Sequence, residues 1–234
     1  MSKLRYQLTQ NGISPRWIPG SNDEFGNPHP IYFANGDEHN ELGSVDESSS
    51  NAILMTDKRK LKQIEIEKYL PEPEIFGPNV ANLSFIGFGS SKNVMIDLIN
   101  FVEKFKTQLR TANMTNSKNT NLNTSSKTKS DLLYQKLEFT NNIWSKLENL
   151  IMQNTDFSIN YFHYSYIWPL KTPKFLQFQA QNPNICLIEG NSTAQLGNLI
   201  RMQTGIEFKN QLLKYDGRQF FMEDLLDFIR NYKF

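Results

Sequence analysis

Ile185-Cys186-Leu187-Ile188-Glu189-Gly190-Asn191 passes from an unbroken apolar run straight into a turn. An unbroken run, rather than an alternating one, is expected of a strand covered on both faces. Downstream, Leu196, Leu199 and Ile200 begin a helical stripe, and Gly205 is placed to stop it. Upstream, Leu83-Ser84-Phe85-Ile86-Gly87-Phe88 reads as a second short strand ending in Gly89-Ser90-Ser91. A helix follows it, with Val94, Leu98, Phe101, Val102 and Phe105 on one stripe. Ile159 to Tyr166 is β-rich and aromatic, and Lys209 to Tyr215 is a further strand candidate closed by Asp216-Gly217. Met222, Leu225, Leu226 and Ile229 keep the i, i+3, i+4, i+7 spacing of a last helix. Strands alternating with helices predict an α/β fold, an open and mostly parallel sheet with helices on both faces.

Two regions stand outside this pattern. Residues 1–75 carry Pro15, Pro19, Pro28, Pro30, Pro71 and Pro73, which remove backbone donors and fix φ. They predict an irregular extension with one helix over Met55 to Lys68, joined by an extended Pro71-Glu72-Pro73 connector to an α/β domain over 76–234. By composition the extension is acidic and the rest basic. The second region, about 106–130, is rich in Asn, Thr, Ser and Lys and nearly free of large apolar groups. Such a stretch buries too little surface to offset its ordering entropy, and predicts a disordered surface insertion. A helix is expected to resume near Asp131, with Ile143, Trp144, Leu147, Leu150 and Ile151 inward. No internal repeat is evident.

Composition removes several classes of function. Lys and Arg number 25 against 24 Asp and Glu, a net charge of +1 that argues against a dedicated polyanion binder such as a nucleic-acid protein. A single cysteine cannot supply a disulfide framework, a cysteine-built zinc site or an iron–sulfur cluster. No apolar run approaches the ~20 residues needed to cross a bilayer. Met1 to Gln10 is polar and unlike a secretory signal, so a soluble cytoplasmic protein with no membrane partner is expected.

Candidate chemistry is sparse. Gly87-Phe88-Gly89-Ser90-Ser91-Lys92 sits where a strand hands over to a helix and has backbone donors for a phosphate. It lacks the third glycine of a dinucleotide fingerprint and the spacing of a P-loop, so a tight turn with Ser90 or Ser91 as N-cap is the simpler reading. Gly36-Asp37-Glu38-His39 places two carboxylates beside an imidazole, with no further ligand at metal spacing to support more than a hydrogen-bonded loop. Glu189 stands at the carboxyl end of the buried strand, where open α/β sheets place their ligands. It is equally suited to holding the next loop by accepting backbone N–H groups. His163, among Tyr161, Phe162, Tyr164 and Tyr166, reads as a satisfied strand histidine, and Cys186 as a buried, inert thiol.

Seven segments in collinear order carry a resemblance. They are Ser14-Pro15-Arg16-Trp17-Ile18-Pro19-Gly20, Asn35-Gly36-Asp37-Glu38-His39-Asn40-Glu41-Leu42-Gly43, Lys58-Arg59, and Ile86-Gly87-Phe88-Gly89-Ser90-Ser91-Lys92. Then follow Tyr166-Ile167-Trp168-Pro169-Leu170, Glu189-Gly190-Asn191-Ser192-Thr193-Ala194-Gln195-Leu196 and Lys214-Tyr215-Asp216-Gly217-Arg218. Together they resemble the C-terminal part of the alpha subunit of 2-oxoacid:ferredoxin oxidoreductases, particularly the 2-oxoglutarate type. The likeness covers nearly all the chain except the Asn-rich insertion.

The resemblance implies a part in a thiamine-diphosphate enzyme of alpha and beta subunits that oxidatively decarboxylates a 2-oxoacid, forms an acyl-coenzyme A and reduces ferredoxin. The chain would correspond to the tail of the pyrimidine-binding domain and a domain resembling the transketolase C-terminal domain, not catalytic alone. Thiamine diphosphate, magnesium and the iron–sulfur cluster would be held by partner domains or subunits, and the implied partners are a beta subunit and a pyrimidine-binding-domain polypeptide. The family's Gly-Asp-Gly and Asn-Asn motif for the diphosphate and its magnesium belongs to the beta subunit, and Gly36-Asp37-Glu38 with Asn141-Asn142 does not reproduce it. No catalytic, cofactor-binding or metal residue carries over. Arg16, Asp37, Glu38, His39, Glu189 and Gln195 are expected at subunit interfaces or bordering the active site. A free-standing binding or regulatory module with the same fold, or a small nucleotide-binding α/β protein, is the alternative. The family has Gly where this chain has Ala194, a strained position if φ is positive there and harmless if it lies inside the first helical turn.

Overall fold

The computed structural model describes residues 4–29, 32, 36–118 and 145–232. It divides into two compact units, Met1–Pro71 and Glu72–Phe234.

In the first unit, helix α1 (Ser49–Tyr69) begins six residues before the expected Met55. Ser48 supplies the start, its side chain accepting from the Asn51 N–H, a cap that the proline-rich surroundings obscure in the sequence. Gly12 has φ +72° and packs on the Lys58 carbonyl and Lys62 nitrogen, so a side chain there would collide with the α1 backbone. Lys58 Nζ donates to the Tyr6 carbonyl at 2.9 Å. Two isolated antiparallel bridges, Asn22 with Pro28 and His39 with Val45, close two short hairpins.

The second unit starts at Glu72 rather than 76, because Glu74–Phe76 forms a strand, β1, that pairs antiparallel with β3 (Ile159–Tyr164). Lysines hold this short edge strand at its start, Lys92 on Glu74 at 2.6 Å and Lys171 on Glu72 at 2.8 Å. The remaining strands are β2 (Leu83–Phe88), β4 (Ile185–Glu189) and β5 (Asn210–Leu213), all parallel to β3 in the order β1-β3-β2-β4-β5. The α/β expectation holds, with one antiparallel edge added to a parallel sheet.

Both faces are covered. Helices α2 (Ser91–Lys118), α3 (Ser145–Gln153) and α6 (Met222–Asn231) supply Leu98, Val102, Leu147, Ile151, Leu225 and Ile229 against Phe85, Tyr161, Cys186 and Ile188. Helices α4 (Pro173–Gln181) and α5 (Gln195–Thr204) cover Ile86, Phe162 and Leu187 on the other face with Phe175, Phe178, Leu196 and Ile200. Alternate residues of each strand therefore face opposite cores, which is why the strands read as continuous apolar runs. Helix α4 was not expected from the sequence; its Pro173 sits in the first turn, where the missing N–H costs nothing.

The first part of the expected disordered stretch is helical. Helix α2 continues through Lys106 to Lys118, so its first thirteen residues are helical. Lys106 lays its stem into the packed side, 9% exposed, while Nζ reaches Glu103 at 2.9 Å. Thr107 and Thr111 bond back to the carbonyls four residues earlier, and Leu109 packs on the core. Residues 119–130, the remainder of that stretch, and 131–144, where a helix was expected to resume, lie outside the described residues.

A polar seam at the amino ends of the strands has no counterpart in the sequence reading. Fully buried Asn182 accepts from Ala81 N, Ser84 Oγ and Asn160 Nδ2 at 3.0, 3.0 and 3.2 Å, and its own Nδ2 donates to the Asn79 and Phe178 carbonyls. One amide thus satisfies the turn before β2 and the end of α4 together.

Candidate site at the carboxyl edge of the sheet

In an open parallel sheet, the loops that leave the carboxyl ends of strands form the natural ligand crevice. Here they include Gly89–Ser91 after β2, Ser165–Lys171 after β3 and Gly190–Ala194 after β4, with residues 214–221 after β5 at the sheet's edge.

The β4 loop is organised by Glu189. Its carboxylate is 1% exposed and accepts from Leu196 N at 3.0 Å, Gly197 N at 2.9 Å and Asn191 Nδ2 at 2.6 Å. Asn191 Oδ1 accepts in turn from Thr193 N and Gln195 N, at 3.1 and 3.3 Å. The first turn of α5 is therefore satisfied from within, with a negative charge already at the positive end of the helix. Of the two roles open to Glu189, the geometry is that of a loop clamp. Ala194, the residue before α5, has φ +51° and ψ +54°, so of the two possibilities for that position it takes the strained one. Its neighbour Gln195 is exposed and joined to Glu189 only through Asn191.

The β2 turn is held differently. Ser91 Oγ donates to the Phe88 carbonyl at 2.9 Å and lies 2.8 Å from Tyr161 Oη, which lies 3.0 Å from His163 Nδ1. Proton counting orders this chain. Ser91 has one proton and spends it on Phe88, so Tyr161 donates to Ser91, and His163 must donate from Nδ1 to Tyr161. The three groups are 3%, 0% and 4% exposed. Burial, and secondarily the Lys92 ammonium, hold the His163 pKa below its usual value, opposed by Glu74. Burial likewise pushes the Tyr161 hydroxyl up and keeps it a proton donor. His163 is thus the satisfied strand histidine expected, while Ser91 braces the turn as the first residue of α2 rather than as its cap. The same-face spacing of Tyr161 and His163 on β3 is the only part of this brace that is local in sequence. Cys186 is fully buried and its thiol is pushed up by desolvation, which fits the inert thiol expected.

The other expected site residues belong to the first unit. Glu38 makes two bonds to the Arg59 guanidinium, at 3.1 and 2.6 Å, and this pairing holds its carboxyl below the usual range. His39 places Nδ1 3.2 Å from the Asp37 carbonyl and its ring 4.0 Å from Tyr6. Asp37 and Arg16 are exposed. Asp37, Glu38 and His39 are thus brought together as one loop, with Arg59 as the partner that the sequence reading had not joined to it.

What the carboxyl edge can do chemically follows from these partners. Glu189 is spent on its own loop, so a diphosphate finds no vacant helix end at α5. Among the described residues no three His, Cys, Asp or Glu side chains gather as a metal site. The edge instead presents exposed aromatic, apolar and small polar side chains. Tyr166, Ile167 and Trp168 are 51%, 39% and 56% exposed, and Ser90, Ser192, Thr193 and Gln195 are exposed beside their loops. Among the described residues no helix is long and apolar enough to cross a membrane.

These features define an α/β domain whose carboxyl edge is internally braced. The resemblance read from the sequence is borne out by comparison. The chain is similar to the alpha subunit of 2-oxoacid:ferredoxin oxidoreductase 1 of Sulfurisphaera tokodaii, with 27% identity over 96% of this chain and 27% of the relative. It is similar to the 2-oxoacid:ferredoxin oxidoreductase alpha subunit of Saccharolobus solfataricus, with 24% identity over 97% of this chain. The chain thus spans about a quarter of the length of the curated relatives it matches. Its fold matches a 2-oxoglutarate:ferredoxin oxidoreductase from Magnetococcus marinus, solved with 2-oxoglutarate, coenzyme A and succinyl-CoA bound, at a TM-score of 0.57 and 22% identity over 97% of this chain and 30% of that one. No family model matches.

Proposed function

We propose that this chain serves as the C-terminal portion of an alpha subunit in a 2-oxoacid:ferredoxin oxidoreductase. Its work is assembly: it sets the position of polypeptides that carry the chemistry and borders the active site they form. The observation that carries the reading is similarity across 96% of the chain to subunits named as alpha. The braced carboxyl edge supports it, because a loop whose polar groups are already paired is suited to docking without rearrangement. The reaction is the oxidative decarboxylation of 2-oxoglutarate or a similar 2-oxoacid to an acyl-coenzyme A, with ferredoxin as electron acceptor. Thiamine diphosphate, magnesium and the iron–sulfur cluster belong to a pyrimidine-binding-domain polypeptide and a beta subunit, and this chain contributes no ligand to them.

Co-expression with those two polypeptides tests this. The expected result is a stable complex that reduces ferredoxin with a 2-oxoacid and coenzyme A, and no thermal shift with thiamine diphosphate for the chain alone. Failure to enter any complex with them, or turnover by the purified chain alone, overturns it.

A further inference from the structure

Lys58 and Arg59 are neighbours in α1, and the fold treats their charges differently. The Arg59 guanidinium is matched by the Glu38 carboxylate at 3.1 and 2.6 Å. Lys58 is half-buried against the turn at Arg5-Tyr6, and its Nζ donates to the Tyr6 carbonyl at 2.9 Å. Among the described residues it makes no ion pair, whereas Lys60, Lys68, Lys92, Lys106, Lys171 and Lys214 each make one.

What surrounds this amine is mostly positive. The Tyr6 ring has the Arg5 guanidinium carbon 5.1 Å from its centre and Lys58 Nζ 5.7 Å from it, with the His39 ring packed on it at 4.0 Å. Arg5 also lies 4.6 Å from the centre of the Tyr32 ring, and its Nε is buried with no hydrogen-bond partner among the described residues. Lys62 follows one turn along α1 and is exposed. The acidic group that acts on the amine is Glu41, whose Oε1 already accepts Leu8 N at 2.7 Å. Burial first, then the Lys62 and Arg5 charges, hold the Lys58 pKa below the usual lysine value, with Glu41 opposing them and Arg59 adding to them.

We infer that Lys58 is an acylation site, its Nζ taking the acyl group of an acyl thioester. A lysine amine partly withdrawn from water and crowded by other cations is a nucleophile, because its neutral form, with an available lone pair, is favoured. That amine attacks the thioester carbonyl carbon. A C–N bond forms, the C–S bond breaks, and the proton given up by nitrogen leaves with the thiol, so nothing is oxidised or reduced. The resulting amide keeps one N–H for the Tyr6 carbonyl and removes the charge that Arg5, Lys62 and Arg59 oppose. A coenzyme A thioester carries phosphates, so the same cations draw it to the amine. The identity of the donor as an acyl-coenzyme A rests on the function proposed above, whose product it is, and the reactivity of the amine does not.

The test incubates the full chain with acetyl-coenzyme A at mildly alkaline pH and follows acetylation of each lysine by peptide mass spectrometry. The initial rate at Lys58 is expected to exceed those at Lys60 and Lys62, its exposed neighbours on the same helix, at least several-fold. Lys62→Gln removes one of the repelling charges, and because that side chain is exposed the variant keeps the fold. The rate at Lys58 should then fall by roughly half. A rate at Lys58 no higher than at Lys60 and Lys62 overturns the proposal. So does a preference for Lys58 that persists in the urea-unfolded chain, where the cluster no longer exists. The thioester is supplied directly, so the result is independent of whether the chain enters an oxidoreductase complex.

Discussion

The carboxylate of Glu189 accepts the backbone N–H of Gly197 at 2.9 Å, so the last residue of a central strand holds the first turn of the helix that follows it. Strand, loop and helix are tied by one buried charge that is paired entirely with neutral donors. Removing it leaves two helix N–H groups unsatisfied. Glu189→Ala is expected to cost roughly 2–4 kcal/mol and Glu189→Gln, which keeps one acceptor oxygen, about 1–2 kcal/mol. Urea unfolding of the two variants measures both, and equal stability of Glu189→Ala and the parent would refute the clamp.

Ala194 tests how strain and packing balance. Replacing it by glycine relieves the left-handed backbone by about 1–2 kcal/mol. It also loses a buried methyl, about 0.8 kcal/mol, and adds unfolded-chain freedom worth about 0.4–1 kcal/mol. These nearly cancel, so Ala194→Gly should unfold within about 1 kcal/mol of the parent. Ala194→Val adds a branch to a positive φ and should lose at least about 2 kcal/mol. Thermal melts of the pair decide it.

Two glycines pack closely with different consequences. A Cβ on Gly87 would meet the Ile188 carbonyl at 2.6 Å, which is backbone of the neighbouring strand and cannot yield. A Cβ on Gly197 would meet Leu187 Cδ2 at 2.5 Å, the end of a side chain that can turn. Gly87→Ala is expected to cost about 3 kcal/mol. Gly197→Ala, offset by about 1 kcal/mol of helix propensity, should cost less than about 1 kcal/mol. A reversed order in denaturant titration would contradict the packing described.

His163 gives the pH dependence a direction. Its pKa in the fold lies below the usual 6.5, so the unfolded chain binds its proton first. The stability it contributes is whole above pH 6.5 and is lost as pH falls from there through the lowered folded value. His163→Asn keeps a donor near the Nδ1 position and removes the titration. Its unfolding free energy should fall less steeply than the parent's below pH 6.5, and identical slopes would exclude His163 as the responsible group.

How much of this was legible in the sequence depends on whether a signal was local. The apolar runs of β2 and β4 and the stripe of α6 declared themselves, because burial on both faces and helical spacing leave a pattern within a few residues. Gly205 was read as a helix stop and has φ +76° at the end of α5. What failed to show was held by distant partners. β1 is three residues long and exists through pairing with β3. α2 extends into a polar stretch because Lys106 and Leu109 find a core that the stretch itself does not announce. At the carboxyl edge, Glu189 was recognisable by its place at a strand end, whereas Asn182 and the Ser91–Tyr161–His163 brace need partners seventy or more residues away.

Burial of Cys186 also makes the molecule convenient to instrument. It is the single cysteine of the chain, wholly enclosed, with a thiol that resists ionisation. A maleimide dye or nitroxide attached through a new cysteine at exposed Ser90 or Ser192 would therefore report from that loop alone, with the native residue left in place and silent.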